Sequence, residues 1–205
     1  LDFRRQRQMC IRDRDYIFHL AAQSLVRPSY EDPLTTFKVN SLGTAHILES
    51  VRSFSKKVNI VLITSDKSYD NIELERGYEE TDVLGGKDPY SASKGMAELV
   101  IKSYFHSFLK DNNFIRLAVT RAGNVIGGGD WARDRIVPDC VRAWAEKKKP
   151  EIRNPDATRP WQHVLEPLGG YLLLGALLSE NNNFNGEAYN FGPAKDNNFS
   201  VRDLI

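Results

Sequence analysis

Residues 58–67 read Val-Asn-Ile-Val-Leu-Ile-Thr-Ser-Asp-Lys, a β-branched and apolar run that passes directly into hydroxyls and charges. A segment apolar on both of its faces suits a parallel strand covered from two sides. Thr64-Ser65-Asp66-Lys67 then falls at the carboxyl end of that strand, which is where open parallel sheets gather their binding and catalytic groups. A simple turn, in which Ser65 and Asp66 bond to their own backbone, accounts for the same four residues.

Outward from this strand, short apolar runs alternate with amphipathic ones. Tyr16–Ala21 has strand character and a polar loop follows it through Pro33; Leu34, Phe37, Leu42, Ala45, Leu48 and Val51 recur at helical spacing. A polar loop spans 66–88, Pro89 stands where a first helical turn tolerates it, and Tyr90–Leu109 continues as helix. Ile115–Thr120 is the next strand, and Gly127–Gly129 open a loop. Arg135–Lys148 reads as a helix ending in cations that suit its negative pole. Gln162–Leu165 is a short strand, Leu168–Leu178 an apolar helix, Asn181–Asn185 a turn and Ala188–Phe191 a last strand. The alternation predicts right-handed βαβ units in an α/β, doubly wound parallel sheet.

Composition narrows the function classes. The 205 residues are 41% hydrophobic and 27% charged, with 28 cations nearly balanced by 27 anions. Nucleic acid is not an expected partner, because no basic excess advertises one. No apolar run reaches the roughly 20 residues of a membrane span and no signal peptide opens the chain, so no membrane association and a cytoplasmic location are expected. Cys10 and Cys140 lack C-x-x-C spacing, and no cluster of acidic or histidine residues suggests a metal. Residues 1–14 stand apart: five arginines against two aspartates, without helical stripe or strand alternation. They fit a basic arm, a disordered tail or a foreign junction, and the abrupt onset of organised sequence at Asp15 favours the junction.

A dinucleotide normally rests on a G-x-G-x-x-G turn between a first strand and its helix. Gly85-Gly86, Gly127-Gly128-Gly129 and Gly169-Gly170 all fail that pattern. Either no dinucleotide binds, or the first βαβ units are missing from this chain. Tyr90-Ser91-Ala92-Ser93-Lys94 is the strongest chemical signal. Its spacing sets a phenol and an ammonium one helical turn apart. The adjacent cation should pull the tyrosine pKa from about 10 toward neutrality and make Tyr90 a usable base for a hydroxyl proton.

Together, His19-Leu20-Ala21-Ala22-Gln23, Thr64-Ser65-Asp66-Lys67, Tyr90-x-x-x-Lys94 and Arg121-Ala122-Gly123-Asn124 resemble the extended short-chain dehydrogenase/reductases that act on nucleotide sugars. Within that group Leu84–Tyr90, Gly127–Ala132 and Arg159–Val164 look most like the 4,6-dehydratases acting on CDP-glucose. The resemblance implies a Rossmann-like fold, NAD as cofactor and a nucleotide-sugar substrate. It implies Tyr90 as the base at the sugar's carbon-4 hydroxyl, Lys94 on the nicotinamide ribose, Ser65 bonding the same hydroxyl and Asp66 as the acid for the departing carbon-6 hydroxyl. Lys67 stands where related dehydratases carry a glutamate; it serves as a neutral base at carbon 5 or, charged, stabilises the enolate. Ala21, Ala22, Gln23 and Asn40 would lie near the cofactor. Asn124 and Arg159 would contact the sugar diphosphate, and Arg135 either joins them or forms a surface salt bridge. His19 and His163 read as structural.

The same resemblance divides the chain into an arm (1–14), the remainder of a cofactor domain with the catalytic residues (15–125), and part of a sugar-nucleotide region (126–205). It implies that about 60–90 residues of glycine-rich amino-terminal units and a carboxyl-terminal end are missing, leaving a fragment inactive by itself. The complete protein would be a homodimer paired through helices 34–52 and 89–109. Another nucleotide-sugar dehydratase or epimerase, or a non-catalytic sugar-nucleotide-binding module, is the alternative.

Overall fold

The computed structural model describes residues 14–194, 197 and 199–205; the arm up to residue 13, Cys10 included, lies outside them. Its strands are β1 (Tyr16–His19), β2 (Val58–Ile63), β3 (Ile115–Ala122), β4 (Val125–Ile126), β5 (Thr158–Arg159), β6 (Gln162–His163), β7 (Ala188–Phe191) and β8 (Phe199–Ser200). The α-helices are α1 (Val26–Glu31), α2 (Pro33–Phe37), α3 (Gly43–Arg52), α4 (Pro89–Tyr104), α5 (Ile136–Ala145), α6 (Leu165–Glu180) and α7 (Val201–Leu204). Four strands form one parallel sheet in the order β1-β2-β3-β7.

The alternation along β2 and β3 explains why the sheet is covered twice. Ile60 and Leu62 of β2, with Leu117 and Val119 of β3, pack against Leu48 and Val51 of α3 and Ile101 of α4. Val61 and Ala118 point the other way, onto Tyr171, Leu174 and Leu178 of α6. Burying each such side chain is worth about 1.5–3 kcal/mol, so a strand with two apolar faces has nowhere else to go. The α/β parallel sheet read from residues 58–67 is the fold observed. Because β7 pairs with β3 from Val119↔Ala188 to Ala122↔Phe191, the chain returns to this sheet after residue 165.

Beyond the carboxyl ends of β2 and β3, two small ladders, β4 with β6 and β5 with β8, fold over the sheet. The short α7 is fixed by a capping box in which Ser200 and Asp203 bond reciprocally.

Three local expectations need correction. The polar stretch before Pro33 contains α1, which its six residues and internal Pro28 disguise. The cations Lys147–Lys149 lie beyond α5, which ends at Ala145, with Lys147 in a left-handed conformation (φ 57°). Helices read as uniform carry π-helical turns at Lys38–Leu42 and Phe105–Leu109. The first of these re-aims a residue of the site, a common use of such turns.

Two adjacent glycines of α6 should respond oppositely to the same substitution. A Cβ at Gly170 would land on the Phe191 ring, whereas one at Gly169 meets nothing within 4 Å. In urea unfolding, Gly170→Ala is expected to destabilise by roughly 1–3 kcal/mol through overpacking. Gly169→Ala is expected to stabilise by about 0.5–1 kcal/mol by restricting the unfolded chain.

Candidate active site

Asp88 accepts hydrogen bonds from the Ser91 amide (3.0 Å) and the Ser91 hydroxyl (2.5 Å), and Pro89 occupies the first turn of α4. This cap fixes Tyr90 at the helix start. Gly86 passes so close beneath it that a Cβ would overlap the backbone of Ser91 and Ala92. The quoted stretch Leu84–Tyr90 therefore delivers the phenol through a glycine contact and a cap.

At the end of β2, Ser65 caps a short 3-10 turn, Asp66–Ser68. Its hydroxyl donates to Asp66 Oδ1 (3.0 Å) and accepts from the Lys67 amide (3.2 Å). Lys67 Nζ donates to Asp66 Oδ2 at 3.2 Å. The turn reading of these residues and the site reading are thus both realised, because the self-bonded turn is what presents them.

Ser65, Asp66, Lys67 and Tyr90 line one open cavity of about 760 Å³, together with Asn124, Arg135 and Arg159. Asp66 and Arg135 both act electrostatically on the Tyr90 phenol, and the nearby Ser65 hydroxyl favours its ionised form. Seven residues singled out in the sequence are therefore brought to one wall system.

The other five do not line it. The Gln23 amide donates to Asn40 Oδ1 (2.8 Å), and Asn40 Nδ2 donates to the Gln23 carbonyl (3.0 Å) and to Ser93 Oγ (2.8 Å). Asn40 reaches both because it stands in the π-helical turn. Ala21 and Ala22 follow β1, with Ala21 exposed at the sheet's carboxyl edge. Lys94 lies one turn below Tyr90 and is 5% exposed.

Electrostatics corrects one expectation. The Tyr90 pKa is raised, not lowered: burial dominates and the Asp66 and Asp88 charges add to it, while Ser65 and Arg135 pull the other way. Lys94 is not among the groups that move it. Burial instead acts on Lys94 itself, whose pKa falls to about 8 against the opposing attraction of Glu98. No hydrogen bond or ion pair reaches the Lys94 ammonium among the described residues.

Sequence reasoning missed the support beneath the cavity. Arg121 of β3 and Glu98 of α4 are both nearly fully buried and pair through two bonds, Nε to Oε1 (2.8 Å) and Nη2 to Oε2 (2.9 Å). It also missed three further cavity cations, Arg27, Arg133 and Arg153. Arg27 and Arg153 share Asp134, and Arg135 pairs with Asp130. Arg159 donates to the Thr158 carbonyl and meets no carboxylate among the described residues, which leaves its charge available to a ligand. Among those residues no group of three His, Cys, Asp or Glu could hold a metal, and no helix is long and apolar enough to cross a membrane.

Comparisons with known proteins agree on the family. Residues 6–200 match the family described as GDP-mannose 4,6 dehydratase. The chain is 47% identical over 195 residues to the CDP-glucose 4,6-dehydratase of Salmonella typhimurium, covering 93% of this chain and 54% of that protein. It is 28% identical over 145 residues to the dTDP-D-glucose 4,6-dehydratase of Dictyostelium discoideum, covering 66% and 32% respectively. The chain spans about half the length, or less, of these curated relatives. Among solved structures, a UDP-glucuronic acid 4-epimerase from Bacillus cereus, in complex with UDP-glucuronic acid and NAD, superposes with a TM-score of 0.82 at 23% identity, covering all of this chain and 60% of that one. DesIV from Streptomyces venezuelae, a dTDP-glucose 4,6-dehydratase double mutant with NAD bound, gives 0.79 at 23%, covering 96% and 56%. At these identities the superpositions establish the Rossmann fold.

The buried ammonium has a measurable consequence. Lys94 titrates near 8 folded and near 10.5 unfolded, so unfolding takes up a proton between those values and stability rises as the pH climbs through that window. Below pH 8 the buried charge costs about 3 kcal/mol. Urea unfolding of wild type and Lys94→Met should therefore show a stability difference that shrinks steadily from pH 8 to pH 10; a constant difference would rule the shift out.

Proposed function

The chain belongs to the GDP-mannose 4,6-dehydratase family, and from that premise we propose that its activity is the NAD-dependent conversion of CDP-glucose to CDP-4-keto-6-deoxyglucose. The observation that carries this reading is the single cavity shared by Tyr90, Ser65, Asp66 and Lys67 with Asn124, Arg135 and Arg159. It joins groups for oxidation, groups for elimination and an unpaired guanidinium for diphosphate. The 47% identity to a CDP-glucose 4,6-dehydratase supports the nucleotide and the reaction.

The residues present fit the nicotinamide end of the cofactor. Lys94 offers a desolvated ammonium without a hydrogen-bond acceptor among the described residues, and Ala21 and Ala22 offer small side chains just past β1. The Gln23 backbone is held rigid by Asn40. NAD would be held by these groups and by Tyr90, and when bound it supplies the acceptor for hydride from carbon 4 and its later return to carbon 6.

The protein's own residues divide the proton work. Burial holds the Tyr90 phenol protonated at rest, so it must first release its own proton to the open cavity; as phenolate it takes the proton of the carbon-4 hydroxyl, with Ser65 bonding the same oxygen. Oxidation there acidifies the hydrogen on carbon 5. Lys67 removes that hydrogen as a proton, Asp66 protonates the carbon-6 hydroxyl so that it leaves as water, and Lys67 gives its proton back to carbon 5 when hydride adds to carbon 6. The acid must begin protonated and the base neutral; the 3.2 Å contact from Lys67 Nζ to Asp66 Oδ2 is a path for that single proton. Arg159 and Asn124 hold the diphosphate, Arg159 by the forked geometry that matches it.

Residues 15–125 serve cofactor and catalysis in this reading, and 126–205 close the nucleotide-sugar side, apart from α6 and β7, which pack on and pair with the main sheet. A homodimer is supported by the outer faces of α2–α3 and α4, which expose Leu34, Leu42, Met96 and Leu99. Such apolar faces are the usual material of an interface. A cytoplasmic location accords with the absence of a membrane-length apolar helix among the described residues.

Assayed at the full length of its relatives with NAD and CDP-glucose, Tyr90→Phe is expected to abolish oxidation, a loss of at least 10²-fold. Lys67→Met should still oxidise carbon 4 yet release no 4-keto-6-deoxy product. Normal turnover by Lys67→Met would remove its role, and turnover of a dTDP-, UDP- or GDP-sugar in preference to CDP-glucose would reassign the substrate.

A further inference from the structure

Tyr90, Lys94 and Glu98 succeed one another at four-residue intervals along α4, and all three are buried, at 8%, 5% and 4% exposure. The first two have roles in the reading above; the third has none. Its carboxylate is nonetheless bonded through both oxygens. Glu98 Oε1 accepts from Thr64 Oγ1 (2.5 Å), from Arg121 Nε (2.8 Å) and, at 3.5 Å, from Ser68 Oγ, while Oε2 accepts from Arg121 Nη2 (2.9 Å).

Thr64 and Ser68 bracket the segment Ser65-Asp66-Lys67. Thr64 also bonds the Thr120 carbonyl (3.1 Å), and Ser68 Oγ returns to the Ser65 carbonyl (2.7 Å). The carboxylate thus holds the Thr64 end of the turn that presents three site residues, with Ser68, whose proton goes mainly to the Ser65 carbonyl, as a longer contact at the other end. It is also the nearest counter-charge on the helix to Lys94.

We infer that Glu98 is a positioning residue of this site, fixing the Ser65–Lys67 turn through Thr64 and Ser68 and keeping the Lys94 ammonium charged beneath Tyr90. The inference rests on the NAD-dependent reading above and extends it to a side chain that touches neither cofactor nor sugar. The charged groups around Lys94 are few. His19 faces it from β1, Tyr90 and Glu98 lie on its own helix, and Arg121 reaches Glu98 from β3. Of these Glu98 alone is an anion at neutral pH. Burial already lowers the Lys94 pKa to about 8 against its attraction. Removing the carboxylate charge while Arg121 stays positive must lower it further.

The experiment compares wild type, Glu98→Gln, Glu98→Asp and Thr64→Val in the full-length protein. NAD affinity is measured by calorimetry against pH, and kcat and KM for CDP-glucose in parallel. Wild type should lose NAD affinity as Lys94 deprotonates on the alkaline side. In Glu98→Gln, which keeps acceptor and volume but not charge, that alkaline limb should move down by roughly one pH unit. Glu98→Asp restores the charge and should return the limb toward wild type even if kcat stays low. Thr64→Val leaves the ion pair intact, so it should fold; kcat is expected to fall several-fold with KM for CDP-glucose and the limb unchanged.

A limb in Glu98→Gln that coincides with wild type, with only a uniform loss of activity, would overturn the charge role. Wild-type kcat in Thr64→Val would overturn the tether. Absence of NAD binding by wild type itself would defeat the underlying NAD reading instead, a result these variants cannot mimic.

Discussion

The buried pair of Arg121 and Glu98 locks together three pieces of chain that strand pairing and apolar packing have already brought side by side. Arg121 stands near the end of β3, Glu98 stands on α4, and their partners Thr64 and Ser68 bracket the turn after β2. Arg121 Nη1 adds the Tyr69 hydroxyl (2.7 Å) and the Glu80 carbonyl (3.0 Å), and Tyr69 passes the connection to Asn190 of β7 (2.7 Å). A buried charge pair is tolerable only when nearly every donor and acceptor is satisfied, and removing one partner typically costs about 3–5 kcal/mol. That penalty ties sheet, helix and loop to a common register. The cavity above them inherits it.

The electrostatics of the site follow from the same burial. A phenol and an ammonium withdrawn from water both resist ionisation, so Tyr90 moves up while Lys94 moves down. A four-residue spacing guarantees neighbourhood on a helix. It does not guarantee that attraction outweighs desolvation, and here it does not. At neutral pH the resting site holds a protonated phenol above a largely charged lysine, with Asp66 and Arg135 pulling the phenol in opposite directions.

What the sequence made legible was local. The two apolar faces of Val58–Ile63 announced a sheet covered on both sides, and the hydroxyls and charges after it marked the site's rim. Tyr90 and Lys94 were found by spacing, and the family resemblance supplied Asn124 and Arg159. What stayed hidden was either short or distant. α1 shows no stripe in its six residues. The Tyr69–Asn190 bond spans 121 positions and Thr64–Glu98 spans 34, separations at which no periodicity survives. Glu98 looked like an ordinary helical glutamate because nothing in its neighbourhood reveals that Arg121 will arrive from another strand. The sign of the Tyr90 shift was misread for a related reason: the depth of burial is a property of the packed molecule.

The account stands on one spatial claim, that the sugar ring lies between Tyr90 and the Ser65–Lys67 turn while its diphosphate reaches Arg159. A crystal structure of the full-length protein with CDP-glucose bound tests this directly. The account predicts the carbon-4 hydroxyl within about 2.6–3.2 Å of both the Tyr90 and Ser65 hydroxyls, with carbon 6 on the Asp66–Lys67 side. A sugar ring seated away from Tyr90, with its carbon-4 hydroxyl out of reach of both the Tyr90 and Ser65 hydroxyls, would contradict it.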